Sequence, residues 1–345
     1  MTGGSVTRTR WIVLVVLVAA AVACGVSPAS TSTGVAGTTT TALPDRPLRG
    51  FSLSPRSYDQ AGLAEFFAAA ADGDFVERVG DVIEWEGSAG TALGLVDAAA
   101  DERGMASISI TGVFDVADGS LLRPLDHATF DRYIAAARSY AAARQPEYLG
   151  LGVEIDTQWR THPEDFDRFV ELFTAVAGAV HEVSPETRML TAFQLERLSG
   201  MQGGIFGGDN DPSLAAWDLI DRFPDADVIG FTTYPGLVFA SPADLPDDYY
   251  RSIGAHTGGR PIAFTEMGWQ AAGDFGEYSG SEQEQAEFVA RFAELTAGVD
   301  VAFSTWSFLY DQTAPGPFAS MGLLRSDGLA RPAWDAWRAA GEAGP

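Results

Sequence analysis

From Arg49 onward the chain alternates short β-rich runs with Ala-rich stretches of helical period, eight times over before Gly341. Strands that all run the same way need a crossover between each pair, and a helix is the usual crossover. The runs are Gly50–Leu53, Asp81–Trp85, Ala106–Ile110, Tyr148–Gly152, Arg188–Phe193, Val228–Phe231, Pro261–Thr265 and Val301–Trp306. Between them, apolar residues recur at spacings of three and four, as in Phe166, Phe169, Val170, Phe173, Val176 and Val180. Similar patterns cover 60–71, 91–102, 128–143 and 282–296. Asp126 and Ser281 stand at N-cap positions, the second with Glu284 three residues on, as in a capping box. Eight strand–helix units in one segment of this length predict a single (β/α)8 barrel, an α/β fold of the TIM type. A doubly wound open sheet is the competing arrangement, but no glycine-rich phosphate loop follows the first run.

The residues before this body read as an address. Arg8 and Arg10 precede an apolar run from Trp11 to Ala23 that meets Cys24, the only cysteine of the chain. The run is shorter than the roughly 20 residues a free-standing membrane span requires, and its order of charge, apolar run and small residues is that of a secretory signal. Ala21-Val22-Ala23-Cys24-Gly25 resembles a bacterial lipobox, which implies cleavage before Cys24, a diacylglyceryl thioether on it, and an extracytoplasmic protein anchored by lipid to the bacterial cell membrane. An ordinary signal-peptidase site with an incidental cysteine is the alternative. Residues 24–46 are rich in Ser, Thr, Gly and Ala and predict a flexible tether, so the expected divisions are a leader over 1–23, a tether over 24–46 and a barrel over 47–345.

Composition narrows the chemistry. Against 47 acids stand 22 basic residues, all of them Arg, for a formal net charge of −25. Such a surface is a poor partner for nucleic acid, whose phosphates require clustered cations, and it repels anionic headgroups, so acyl chains rather than the protein surface should hold it at a membrane. Without lysine there is no Schiff base and no phosphate-loop lysine. One Cys and 4 His leave little for a metal centre. His127, His162, His181 and His256 all fall on or beside helices, whereas metal-dependent barrel hydrolases place His at strand tips. No cofactor or metal is expected, and a monomer is.

In a barrel of this kind the active site lies at the C-terminal ends of the strands. The groups expected there are Glu84-Trp85-Glu86, Asp115, Glu154, Gln194-Leu195-Glu196, Thr232-Thr233-Tyr234, Glu266 with Trp269, and Trp306. Two glutamates on opposite strands, among Trp and Tyr, suit hydrolysis of a glycosidic bond, in which one carboxyl protonates the leaving oxygen, the other attacks the anomeric carbon, and aromatic faces bind the sugar.

Tyr148–Asp156 (YLGLGVEID), Asp227–Pro235 (DVIGFTTYP) and Pro261–Trp269 (PIAFTEMGW) resemble strands 4, 6 and 7 of the clan A glycoside hydrolases. Ser281–Phe288 and Gly322–Trp334 resemble the helix after strand 7 and the closing segment of those enzymes. The nearest subgroup is that of the arabinogalactan endo-β-1,4-galactanases and some endo-mannanases. The resemblance covers nearly the whole barrel and implies Glu154 as general acid/base, Glu266 as nucleophile, Tyr234 as the residue that orients Glu266, and Trp306 as the floor of the sugar site. It also implies retention of configuration, with the carboxyls about 5–5.5 Å apart, and an oligo- or polysaccharide substrate.

Two departures from the clan pattern stand out. Val153 replaces the Asn that usually precedes the acid and bonds the sugar 2-hydroxyl, so that another donor such as Gln194 is required, or the substrate differs, or catalysis is weak. No Arg ends the second expected strand, where Trp85 and Glu86 form the rim instead. Trp159, Trp269 and Tyr310 are candidates for stacking a sugar or for plain loop packing. Glu84, Glu86 and Asp115 read equally as solvated or Arg-paired groups, and Asp209-Asn210-Asp211 reads as a turn rather than a calcium loop. Two further classes stay open, a catalytically silent carbohydrate-binding barrel and a structural envelope protein without a sugar site.

Overall fold

The computed structural model describes residues 46–87 and 92–342. The expected leader, Cys24 and all but the last residue of the expected tether lie outside them. Eight parallel strands close into one barrel, each hydrogen-bonded to the next and the last to the first. They are β1 (Leu48–Ser52), β2 (Phe75–Gly80), β3 (Ala106–Thr111), β4 (Tyr148–Leu151), β5 (Arg188–Gln194), β6 (Val228–Thr233), β7 (Ile262–Met267) and β8 (Val301–Trp306). The helices are α1 (Gln60–Ala69), α2 (Val82–Glu86), α3 (Ala92–Asp101), α4 (His127–Arg144), α5 (Ile155–Thr161), α6 (Pro163–His181), α7 (Leu195–Leu198), α8 (Glu282–Thr296) and α9 (Pro332–Glu342). This is the expected (β/α)8 barrel. No helix among the described residues is long and apolar enough to cross a membrane.

Side-chain alternation fills the barrel from within. Rings from three separate strands meet across the barrel floor, Phe303 lying 5.4 Å from Phe75 and 4.9 Å from Tyr148 between centroids. Room for them comes from β1, where Gly50 presses on β2 so closely that a Cβ there would lie 2.3 Å from the Phe75 carbonyl oxygen. The opposite faces of the strands pack on the helices. Phe166, Phe169 and Phe173 of α6 surround Phe223 together with Phe193 of β5, and each such buried ring contributes roughly 1.5–3 kcal/mol. Asp126 and Ser281 cap α4 and α8 as their positions predict, accepting from the amides of Thr129 and Glu284.

Two elements differ from the expectation. The second strand is Phe75–Gly80, and the run Asp81–Trp85 belongs to a short helix whose N-cap is Asp81, its carboxylate accepting from the Ile83 amide. After β5 and β6 the regular crossover helix is replaced by the four-residue α7 and a series of 3-10 turns. Gly203, Gly204, Gly207, Gly208 and Pro212 interrupt the first of these segments, and Pro235, Pro242 and Pro246 the second. At the closing end, the buried Arg331 forks onto both oxygens of Asp311 at 2.7 and 2.8 Å, with Nε on Glu282 at 3.1 Å. It ties the segment after β8 to the start of α8.

Candidate active site

β7 carries Glu266 into the barrel mouth. Every residue of this strand is buried, and its register slips against both neighbours, so that Glu266 stands beside Thr232 of β6. Tyr234, just past β6, donates its hydroxyl proton to Glu266 Oε2 at 2.6 Å, and its ring is held edge-on by Phe318 at 5.0 Å. Burial pushes the Glu266 carboxyl up to about 7, against the pull of the Tyr234 hydrogen bond.

Glu154 follows β4 through a tight turn. Gly152 has φ +84°, and Glu154 itself has φ 51° and ψ 43°, a left-handed conformation that L-residues other than Gly, Asn and Asp rarely adopt. Such backbone strain persists only where the surroundings impose it, and it concentrates at functional sites. The Glu154 Oε1 accepts from Thr232 Oγ1 at 2.8 Å. Thr232 therefore holds Glu154 by its side chain while its backbone stands in register with Glu266, which brings both carboxyls to one mouth. Burial lifts Glu154 to about 8; Arg197 opposes the rise, and the charge of Glu266 adds to it.

A cavity of about 430 Å³ opens at this end of the barrel. Its wall includes Ser52 of β1, Glu77 and Arg78 of β2, Val153, Glu266 and Ser307. Between β4 and α5 the wall residue is thus Val153 and not Glu154, whose carboxyl is held by Thr232. Glu77 is a third buried carboxyl of the mouth. Thr305 Oγ1 of β8 donates to its Oε2 at 2.7 Å, across the space left by Gly50.

The aromatic candidates lie elsewhere. Trp306 is wholly buried on the outer face of β8, 6.0 Å from Phe288 and 5.4 Å from Trp337, with Nε1 donating to the Met321 carbonyl. Thr305 points inward, so the period of two turns its neighbour away from the site. Trp269 packs on Phe288 of α8 at 5.4 Å. Trp85 stacks on Tyr140 of α4 and donates to Ser109 Oγ at 2.8 Å, because α2 lies outside the barrel. Trp159 is half-buried on α5 with Arg160 5.5 Å from its ring, and Tyr310 is buried in the loop after β8, 5.6 Å from the Arg56 guanidinium. None of these five rings lines the cavity.

The polar candidates are likewise engaged elsewhere. Gln194 caps α7, accepting from the Arg197 amide at 2.6 Å and donating to Glu196 at 2.5 Å. Glu86 forks with Arg132 on the surface. Glu84 takes both guanidinium arms of Arg78. Asp115 is exposed and turns onto the Ala117 amide. Asn210 accepts from the Gly203 amide, and Asp211 caps the turn Pro212–Leu214. With β2 placed at Phe75–Gly80, an Arg does stand in the second strand, namely Arg78. Sequence reading missed Glu77 and Arg78 because they interrupt the strand with charge; the alternation Phe75, Glu77, Val79 was the available signal.

No protein-family model matches the chain, and no curated protein does. Solved structures do match. A family 39 glycoside hydrolase from the gut symbiont Bacteroides cellulosilyticus WH2 aligns with a TM-score of 0.60 at 17% identity, over 86% of this chain and 64% of that one. GH5_18 from Streptomyces cattleya in complex with GlcNAc gives 0.61 and 17%, over 86% and 80%. The Ignisphaera aggregans GH53 catalytic domain gives 0.57 and 15%, over 87% and 98%. The fold is the one these proteins share. At such identities the likeness is one of architecture, and the chain spans less than two thirds of the family 39 structure.

Proposed function

We propose that this chain is a retaining β-glycoside hydrolase acting on an oligo- or polysaccharide. The observation that carries the reading is the pair Glu154 and Glu266, buried at one mouth, joined through Thr232 and lifted to about 8 and about 7 respectively. A double displacement requires one carboxylic acid and one carboxylate at the same pH, and this ordering gives the proton to Glu154 and the charge to Glu266. The Glu266 carboxylate attacks the anomeric carbon while the glycosidic C–O bond breaks and Glu154 passes its proton to the leaving oxygen. The resulting glycosyl ester is hydrolysed when Glu154, now a carboxylate, takes a proton from water; the water oxygen bonds to the anomeric carbon and Glu266 leaves. Tyr234 holds the Glu266 oxygen in place. The neighbouring glycoside hydrolases of families 39, 5 and 53 support the reaction class.

A second reading, a silent carbohydrate-binding barrel, is favoured by one observation: Val153, and not Glu154, is among the residues of the cavity wall. Reducing-sugar release from β-galactans, β-mannans and β-glucans, with Glu154→Gln and Glu266→Gln beside the parent, separates the two. Turnover that collapses in both variants supports the hydrolase. Saturable binding without turnover supports the silent barrel. The lipobox-like segment Ala21–Gly25 supports, in addition, a lipid anchor on Cys24 and an extracytoplasmic location.

A further inference from the structure

The double displacement leaves Glu77 unused, and its surroundings differ from those of Glu196 and Asp97; Asp156 also keeps one buried oxygen, Oδ2, without a partner, but it is not part of the cavity wall. Glu196 is just as buried but receives Thr233, Tyr249 and Gln194 on its two oxygens. Asp97 is satisfied by Ser107, Tyr140 and Arg144. Those are framework carboxyls. Glu77 receives only Thr305 on Oε2, and its Oε1 has no partner among the described residues, although the residue is 0% exposed and lines the cavity. Arg78 does not neutralise it, because Glu84 takes that guanidinium. A buried polar atom without a partner costs free energy, so one that belongs to a residue of the cavity wall points to a ligand's polar group.

We propose that Glu77 Oε1 is a specificity-determining contact, donating a hydrogen bond to one hydroxyl of the sugar seated against Glu266. The proposal rests on the glycosidase reading for the presence of a sugar. The groups facing Glu77 are Thr305 of β8, Ser52 of β1, Ile108 of β3 and, by its charge, Glu266 of β7. None is a cation. Burial first, and then the charge of Glu266, lift the Glu77 carboxyl well above the usual carboxylate range, against the Thr305 bond. That direction favours the protonated form, which donates from Oε1 while Oε2 stays with Thr305. No proton is transferred in this contact, which orients the ring and distinguishes sugars by the presence of that hydroxyl.

The test uses the full chain, 4-nitrophenyl β-mannoside, β-galactoside and β-glucoside, and the 2-, 3-, 4- and 6-deoxy forms of whichever is cleaved. Glu77→Met, of similar size, should lower kcat/KM by roughly 10- to 100-fold, and Glu77→Gln, whose amide still donates, should stay within about threefold of the parent. One deoxy analogue should lose the same factor in the parent and nothing further in Glu77→Met, which a purely structural role would not produce. Parent-like kcat/KM in Glu77→Met overturns the proposal, as does a Glu77→Gln variant that falls as far as Glu77→Met. Should Glu77→Met not fold, Thr305→Val serves, with the same deoxy analogue expected to lose its penalty. Turnover without hydroxyl discrimination refutes this contact alone; absence of both turnover and saturable binding by the parent refutes it together with the glycosidase reading.

Discussion

The Tyr234 hydroxyl lowers Glu266 by stabilising its charged form, and Glu154 is lifted by burial and by the charge of Glu266 against Arg197 and Thr232. Activity requires Glu266 ionised and Glu154 protonated, so kcat/KM should be bell-shaped, with limbs near about 7 and about 8 that belong to the coupled pair. Tyr234→Phe should lower kcat by roughly 10- to 100-fold, the loss of one hydrogen bond to a charged group. It should also move the acidic limb upward, which a pH–rate profile measures. The same burial has a stability sign. A carboxyl whose folded pKa lies above its unfolded value stabilises the fold fully below about 4.5, and that contribution is lost as pH rises toward the folded value, about 7 for Glu266. Glu266→Gln should therefore be more stable than the parent at pH 8 by about 1–3 kcal/mol, and equal to it near pH 4. Denaturant midpoints at the two pH values check this. The places of Glu154, Glu266 and Tyr234 at strand ends were legible in the sequence, because each stands in a run that resembles a known motif. The position of Trp306 at a strand end was legible too, but not its face, which the inward Thr305 decides.

At the scale of elements, seven of the eight strands overlap the runs read from alternation, and the exception is instructive. β2 holds Glu77 and Arg78 in its middle, so it looks too polar for a buried strand, whereas Val82, Ile83 and Trp85 look right for one. What decides is local. The Asp81 side chain caps a helix, and Arg78 forks back onto Glu84 one turn into it. The error then propagated, because placing the strand end at Trp85 and Glu86 put those residues on the rim and hid Glu77. Trp85 is a packing residue between α2 and α4 in this fold. Trp85→Ala should cost about 3–5 kcal/mol of stability while leaving KM for any cleaved glycoside unchanged. A chemical denaturation curve and a Michaelis plot of the same sample check both halves.

For the whole molecule, the barrel was readable from rhythm together with the lack of a glycine-rich loop after the first run, since eight parallel strands joined by seven crossovers admit few other arrangements. The cavity was not, because which inward side chains line it depends on register slips in β7 and on Gly50, and neither leaves a periodic trace. With 47 acids against 22 Arg, the protein surface offers a membrane little attraction, so the proposed anchor rests on Cys24 alone. Cys24→Ala should shift the protein from the membrane to the soluble fraction of a bacterial host, and the blot of the two fractions reads the result. The central claim is that Glu266 and Glu154 hydrolyse a β-glycoside. Its most direct measurement is reducing-sugar release from β-galactans, β-mannans and β-glucans by the full chain beside its Glu266→Gln variant. The account predicts release from at least one polymer that falls by three orders of magnitude or more in the variant, roughly the size of losing a covalent nucleophile. Equal release by parent and variant, or none from any polymer by the parent, would contradict it.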